Sequence, residues 1–163
     1  MIFVTVGSQK YQFNRLLEWI DQLVNANVIN KPVFAQTGYS DYIPKKYKYR
    51  NFIDRKELNE ILSKCDVVIT HGGTGAIISA LKQNKIVIVV PRNSEYKEHV
   101  DNHQYEIASC YEGQKMVLVA EDFHTLKAHL LNSEVENQGH YISNTKVIIE
   151  SIDNFISQNC RIN

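Results

Sequence analysis

The stretch Ile69-Thr70-His71-Gly72-Gly73-Thr74-Gly75 has the residue types of an anion site. Glycines let a phosphate approach the main chain, and a helix beginning there offers unpaired N–H groups with a partial positive charge. Thr74 and the amides of Gly73 and Gly75 are the preferred phosphate ligands. His71 could donate to a phosphate, or could cap and support the loop from below. Further along, Pro91-Arg92 and the run Glu98-His99-Val100-Asp101-Asn102-His103-Gln104 bring together cations, imidazoles and amides suited to phosphates or sugar hydroxyls. Arg92 could neutralise a phosphate or pair with Glu98. His99 and His103 lie four apart, a spacing that would put both on one helical face and permit zinc. No third ligand at suggestive spacing accompanies them, so His103 and Gln104 read better as contacts to a bound molecule, with Glu98 or Asp101 orienting them.

These residues need elements to position them. The apolar run Val67-Val68-Ile69 reads as a buried strand, within 66–70, that delivers the chain into the glycine loop. Residues 75–83 then read as a helix with Thr74 at its N-cap and Asn84 in the left-handed position that ends it. A further strand, 86–90, closes at Pro91. Two strands joined by a crossover helix place both loops at one carboxyl edge of a parallel sheet, where open α/β sheets bind ligands.

The N-terminal part repeats the pattern: a strand at 2–6, the loop Gly7-Ser8, and an amphipathic helix over 13–26 with Phe13, Leu16, Leu17, Ile20, Leu23 and Val24 at helical spacing. That loop lacks G-x-G-x-x-G, which argues against NAD or FAD. A strand at 32–36 leads to the polar, aromatic loop Thr37-Gly38-Tyr39-Ser40-Asp41-Tyr42. The basic run Lys45 to Arg50 with its tyrosines reads as a solvated loop, ahead of a nucleic-acid patch or a contact to lipid phosphates. A short strand is expected at 51–53, then a helix over 55–64 with Asp54 as cap and Glu57 completing a capping box. Helices at 102–111, 120–131 and 143–158 and a strand at 115–119 follow, with a polar linker at 132–140 carrying Gly139. In the last helix Ile148, Ile149, Ile152, Phe155 and Ile156 form one apolar stripe, suited to closing over the sheet or to meeting a partner. This alternation predicts one α/β domain over 1–163, a Rossmann-like, doubly wound, mainly parallel sheet of about six strands, with 142–163 as a possible partner-binding element.

With 18 basic and 18 acidic residues the chain is neutral, which argues against nucleic acid and against general attraction to anionic lipid. Cys65, Cys110 and Cys160 show no paired spacing, so neither a disulfide framework nor a cysteine zinc site is expected, and a reducing compartment is the default. With a strand at the very start no signal peptide is expected, and no apolar run reaches the roughly 20 residues of a membrane span.

The stretches Phe3-Val4-Thr5-Val6-Gly7, Phe13-Asn14-Arg15-Leu16, Ala35-Gln36-Thr37-Gly38-Tyr39, the glycine loop, Pro91-Arg92 and Glu98 to Gln104 occur in an order that resembles the C-terminal, nucleotide-sugar-binding half of family 28 GT-B glycosyltransferases. The chain looks most like the small subunits of two-component bacterial capsule and exopolysaccharide transferases. The catalytic subunit of the dolichol-pathway N-acetylglucosaminyltransferase pair is more distant.

The resemblance implies a catalytic subunit of an inverting, UDP-sugar-dependent hexosyltransferase, with His71 and Arg92 as catalytic candidates. Its implied donor contacts are Gly7, Ser8, Gln36, Thr37, Gly72, Gly73, Thr74, Gly75, Ser79, Glu98, His99, Asn102, His103 and Gln104. A membrane-anchored partner would supply the N-terminal half, the acceptor site and the base, and would hold this chain at the inner face of the plasma membrane. The implied acceptor is a saccharide on a polyprenyl diphosphate. Such sites stabilise UDP with a helix N-terminus and basic side chains, and the chain has no Asp-x-Asp, so no metal or other cofactor is expected. Relatives often carry an acidic ribose ligand where Ser79 stands, and Thr-His-Glu or similar where this chain has Ser8-Gln9-Lys10, so no base carries over to that loop. A non-catalytic nucleotide-sugar-binding or enhancer subunit is the alternative. A sugar-nucleotide epimerase fits less well, since half a clamshell leaves one wall of its cleft missing.

Overall fold

The computed structural model describes residues 1–132 and 141–159. Gly139, His140, Cys160 and most of the expected 132–140 linker lie outside the described residues.

Six parallel strands form one sheet in the order β3-β2-β1-β4-β5-β6. In chain order these are β1 (Ile2–Thr5), β2 (Val33–Gln36), β3 (Lys48–Arg50), β4 (Val67–Thr70), β5 (Ile86–Val89) and β6 (Leu118–Val119). The helices are α1 (Asn14–Asn25), α2 (Arg55–Lys64), α3 (Thr74–Leu81), α4 (His103–Gly113), α5 (Phe123–Leu131) and α6 (Thr145–Asn159). β1 and β4 are neighbours in the middle of the sheet, and the strand order reverses between them. A crevice opens at such a reversal because the chain leaves the two strands toward opposite faces.

The two faces bury different sets of residues, as expected of parallel strands covered on both sides. Ile2, Val4, Val67, Ile69 and Ile88 pack with Leu16, Leu17, Ile20 and Leu23 of α1 and with Leu126 and Leu130 of α5. Phe3, Val68, Val87 and Val89 pack on the other face with Leu62 of α2, Ile77 and Ala80 of α3 and Ala108 of α4. Each fully buried leucine or isoleucine contributes about 1.5–3 kcal/mol relative to an exposed one.

Several boundaries differ from expectation. The third strand is Lys48–Arg50, not 51–53; it pairs with Phe34–Gln36 at the sheet's edge, where its side chains stay exposed. β6 is shorter than 115–119, because Lys115 takes a positive φ of 57° before the strand begins. Gly73, not Thr74, occupies the N-cap of α3, and Thr74 is its first helical residue. Asp54 does cap α2 by accepting from Glu57 N at 2.8 Å, but Glu57's carboxylate turns to Arg50, so the box is only half made. Asn84 adopts the left-handed conformation expected of it, with φ 53°. α6 buries no residue. Its apolar stripe therefore does not close over the sheet. No described helix is long and apolar enough to cross a membrane.

Candidate active site

A cleft of about 420 Å³ opens at the carboxyl edge, where the strand order reverses between β1 and β4. Gly7, Ser8 and Gln9 after β1, Gln36 at the end of β2, and His71 and Gly73 after β4 line it. Gly75, Ala76 and Ser79 form its α3 wall, and Ile53, Asp54, Arg55 and Leu58 its α2 wall. A larger hollow of about 610 Å³ lies at the opposite edge, among Met1, Pro32 and Lys64. The smaller cleft is the better site for an anion, because the first turns of α2 and α3 both face it.

His71 lines this cleft between its two glycine loops. Its ring lies in a slot between Gly7 and Gly73, so a Cβ at either glycine would fall 2.7 or 2.5 Å from its Nε2. Gly7 also needs its freedom at φ +76°. Nδ1 of His71 sits 3.1 Å from the Thr70 hydroxyl. Burial, with smaller contributions from Arg92 and His99, lowers the His71 pKa from 6.5 to about 4. The imidazole is therefore neutral near pH 7. Its Nε2 edge reaches the cleft, and both sequence readings, support and ligand contact, fit this placement.

Arg92 is different. It is fully buried, and its guanidinium donates to the carbonyls of Tyr11, Gln12, Glu98 and Val6 at 3.2, 2.9, 2.9 and 2.5 Å. Burial lowers its pKa from 12.5 to about 10. Arg92 thus staples the β1–α1 loop to the β5–α4 loop, and the expectation that it faces a phosphate is corrected. It does not pair with the Glu98 carboxylate either. Glu98 is buried against Arg15, whose Nε and Nη2 reach its two oxygens at 3.0 and 2.9 Å. Glu98 also accepts from Asn93 N at 2.9 Å, which commits the carboxylate to the fold instead of to a ligand.

Gln104 is likewise inside. Its Oε1 accepts from Gly72 N at 2.9 Å and from Arg92 N at 3.2 Å, tying the glycine loop to the end of β5. Gly72 fits because a Cβ there would lie 2.7 Å from that of Gln104. Thr37 turns toward β3, with its hydroxyl near Arg50 O and Asn51 Oδ1. Thr74 lines a separate hollow with Tyr111 and Tyr141. Asn102 accepts from Ser94 N and braces its loop.

The zinc geometry is also corrected. α4 begins at His103, so His99 precedes the helix and the two histidines do not share a helical face. The structure does add Asp101 beside them. Its Oδ1 already meets His99 Nδ1, His103 Nδ1 and His103 N, so the trio is a hydrogen-bonded knot. His103 remains half exposed and is not among the residues that line the cleft.

Of the expected site residues, Gly7, Ser8, Gln36, His71, Gly73, Gly75 and Ser79 line the cleft together. Ser79 Oγ donates to Gly75 O at 2.7 Å. Sequence reasoning missed the α2 wall, above all Asp54 and Arg55. The signal available was a helix start directly after a strand of the same sheet, which places its first turn at the carboxyl edge.

A doubly wound parallel sheet with a glycine-lined cleft at its reversal point defines a Rossmann-like α/β domain. Residues 1–158 match the glycosyltransferase family 28 C-terminal domain, and the chain belongs to that family. It is 29% identical over 122 residues to the mouse (Mus musculus) UDP-N-acetylglucosamine transferase subunit ALG13, covering 65% of this chain and 9% of that protein. It is 37% identical over 109 residues to a Prochlorococcus marinus (strain MIT 9515) N-acetylglucosamine transferase named for N-acetylmuramyl-(pentapeptide) pyrophosphoryl-undecaprenol, covering 64% of this chain and 28% of that one. The chain therefore spans less than a third of either relative. A solution structure of ALG13 superposes with a TM-score of 0.56 at 21% identity, covering 93% of both chains. The structure of a kitacinnamycin glycotransferase superposes at 0.60 with 18% identity, covering 83% of this chain and 35% of that one. These likenesses bear on the fold.

Proposed function

We propose that this chain is the UDP-sugar-binding, catalytic subunit of a two-component inverting glycosyltransferase. The observation that carries the reading is the cleft itself, in which the α3 N-terminus, Gly7, Gly73 and a neutral His71 converge at the sheet reversal of a family 28 chain. In such a transfer the acceptor oxygen bonds to the anomeric carbon as the bond from that carbon to the diphosphate oxygen breaks. The acceptor proton passes to a base, and negative charge grows on the departing UDP. The amides of Gly73 and Gly75 and the Nε2 edge of His71 would meet that charge, and the half-exposed His103 is the group we assign to the sugar. No metal is needed in this scheme.

The base, the facing wall and the polyprenyl-diphosphate-linked acceptor would belong to a membrane-anchored partner that holds the chain at the inner face of the plasma membrane. The exposed stripe of α6 is the surface we assign to that partner. The two named relatives, both N-acetylglucosamine transferases, support an N-acetylhexosamine donor over a plain hexose, and capsule or exopolysaccharide assembly is the pathway class we favour. Calorimetric titration with UDP and a set of UDP-sugars tests the first half of this reading, and absence of any UDP binding would refute it. UDP release from a lipid-linked acceptor in the presence of the partner tests the second. Binding without release would make the chain a non-catalytic nucleotide-sugar-binding subunit.

A further inference from the structure

The nucleotide-sugar reading leaves an electrostatic gap. A diphosphate brings multiple negative charges, and its departure from a sugar raises that charge further. Arg92, which the sequence offered either for this role or for pairing with Glu98, is spent on main-chain carbonyls. Among the described residues lining the cleft only Asp54, Arg55 and His71 are ionisable. His71 is neutral near pH 7. Asp54 caps α2 through Glu57 N.

Arg55 is the first residue of α2, exposed on the wall facing α3. Of the described arginines, Arg15 is paired with Glu98, Arg50 with Glu57, and Arg92 is buried on its carbonyls. Arg55 forms no ion pair among the described residues. The first turn of α3 lies across the cleft from it, with the Gly73 and Gly75 backbone exposed to the same space.

We propose that Arg55 is the cation of this site, holding the diphosphate of a bound nucleoside diphosphate from the α2 wall while the α3 amides hold it from the other. The inference rests on the nucleotide-sugar reading above and adds a positioning residue to it. A guanidinium suits the task because its fork matches two phosphate oxygens at once. Among the described residues no carboxylate is paired with it that an incoming anion would have to displace.

The test compares UDP with uridine, which keeps the base and ribose and lacks the phosphates. Wild type, Arg55→Gln and Arg55→Lys are titrated as full-length chains by calorimetry for UDP and by NMR shift mapping for uridine, at low and high salt. Thermal melts check that folding is intact. We expect Arg55→Gln to weaken UDP roughly tenfold, the scale of one charge-assisted contact at a wetted site, and to flatten the salt dependence. Uridine affinity stays unchanged, and Arg55→Lys falls between. Equal UDP affinity in wild type and Arg55→Gln overturns the proposal. So does equal weakening of UDP and uridine, which would place the side chain against the nucleoside. If wild type itself ignores UDP, the nucleotide reading fails first and takes this inference with it.

Discussion

The neutral state of His71 predicts a specific loss of stability in acid. In the unfolded chain the imidazole protonates near 6.5, whereas in the native fold burial holds it neutral down to about 4. Between those values the unfolded state binds the extra proton, so stability falls as pH drops through that window and is fully present above 6.5. At 1.36 kcal/mol per pKa unit the drop is about 3 kcal/mol, a large part of a domain's 5–15 kcal/mol. His71→Gln removes the titration and keeps a polar side chain of similar reach. Urea unfolding of both proteins at several pH values from 7.5 to 4 gives the difference directly. The stability of wild type minus that of the variant shrinks by about 3 kcal/mol across the window. Carboxylates held low, such as Asp101 and Asp122, act at more acid pH and are common to both proteins. Parallel pH profiles for the two proteins, or a native imidazole NMR titration near 6.5, would refute the reasoning.

Gly73→Asp puts a side chain 2.5 Å from His71 Nε2 and a negative charge in the cleft, so UDP binding is lost in a calorimetric titration. Gly75→Ala meets no atom within 4 Å and leaves the melting temperature at or above that of wild type. Gln104→Ala leaves the buried N–H groups of Gly72 and Arg92 without their shared acceptor; chemical denaturation should show about 1–3 kcal/mol lost for each. Ending the chain at Ile142 removes α6, which buries nothing, so the thermal midpoint changes little while pull-down of the partner subunit weakens.

The central strands were legible because β1, β4 and β5 are runs of β-branched and apolar residues, interrupted only by the terminal Thr5 and Thr70, as expected of parallel strands covered on both faces. β3 was not. Lys48-Tyr49-Arg50 has the polarity of a loop, and the more apolar Phe52-Ile53 beside it drew the assignment. An edge strand is held by its backbone pairing, which leaves no hydrophobic signature. The glycine loop and His71 were found from residue type and spacing. The roles of Arg92, Glu98 and Gln104 were not, because charged and amide residues after a strand read as ligand groups whether they face a cleft or the interior. The pairing of Arg15 with Glu98 spans 83 positions and no local pattern announces it. Arg55 was passed over for the opposite reason: a basic residue following a helix cap looks like solvent decoration until the sheet order shows where that helix begins.

The margins of the sheet have a consequence for assembly. β3 has three residues and carries Lys48 and Arg50; β6 has two. Neither border offers a long, flat, greasy ribbon on which another chain could zip up, and the cations on one of them repel a like copy. Fibril-like stacking through the backbone is thereby disfavoured. The surfaces left for assembly are those the helices and loops present, with the two borders as plain margins.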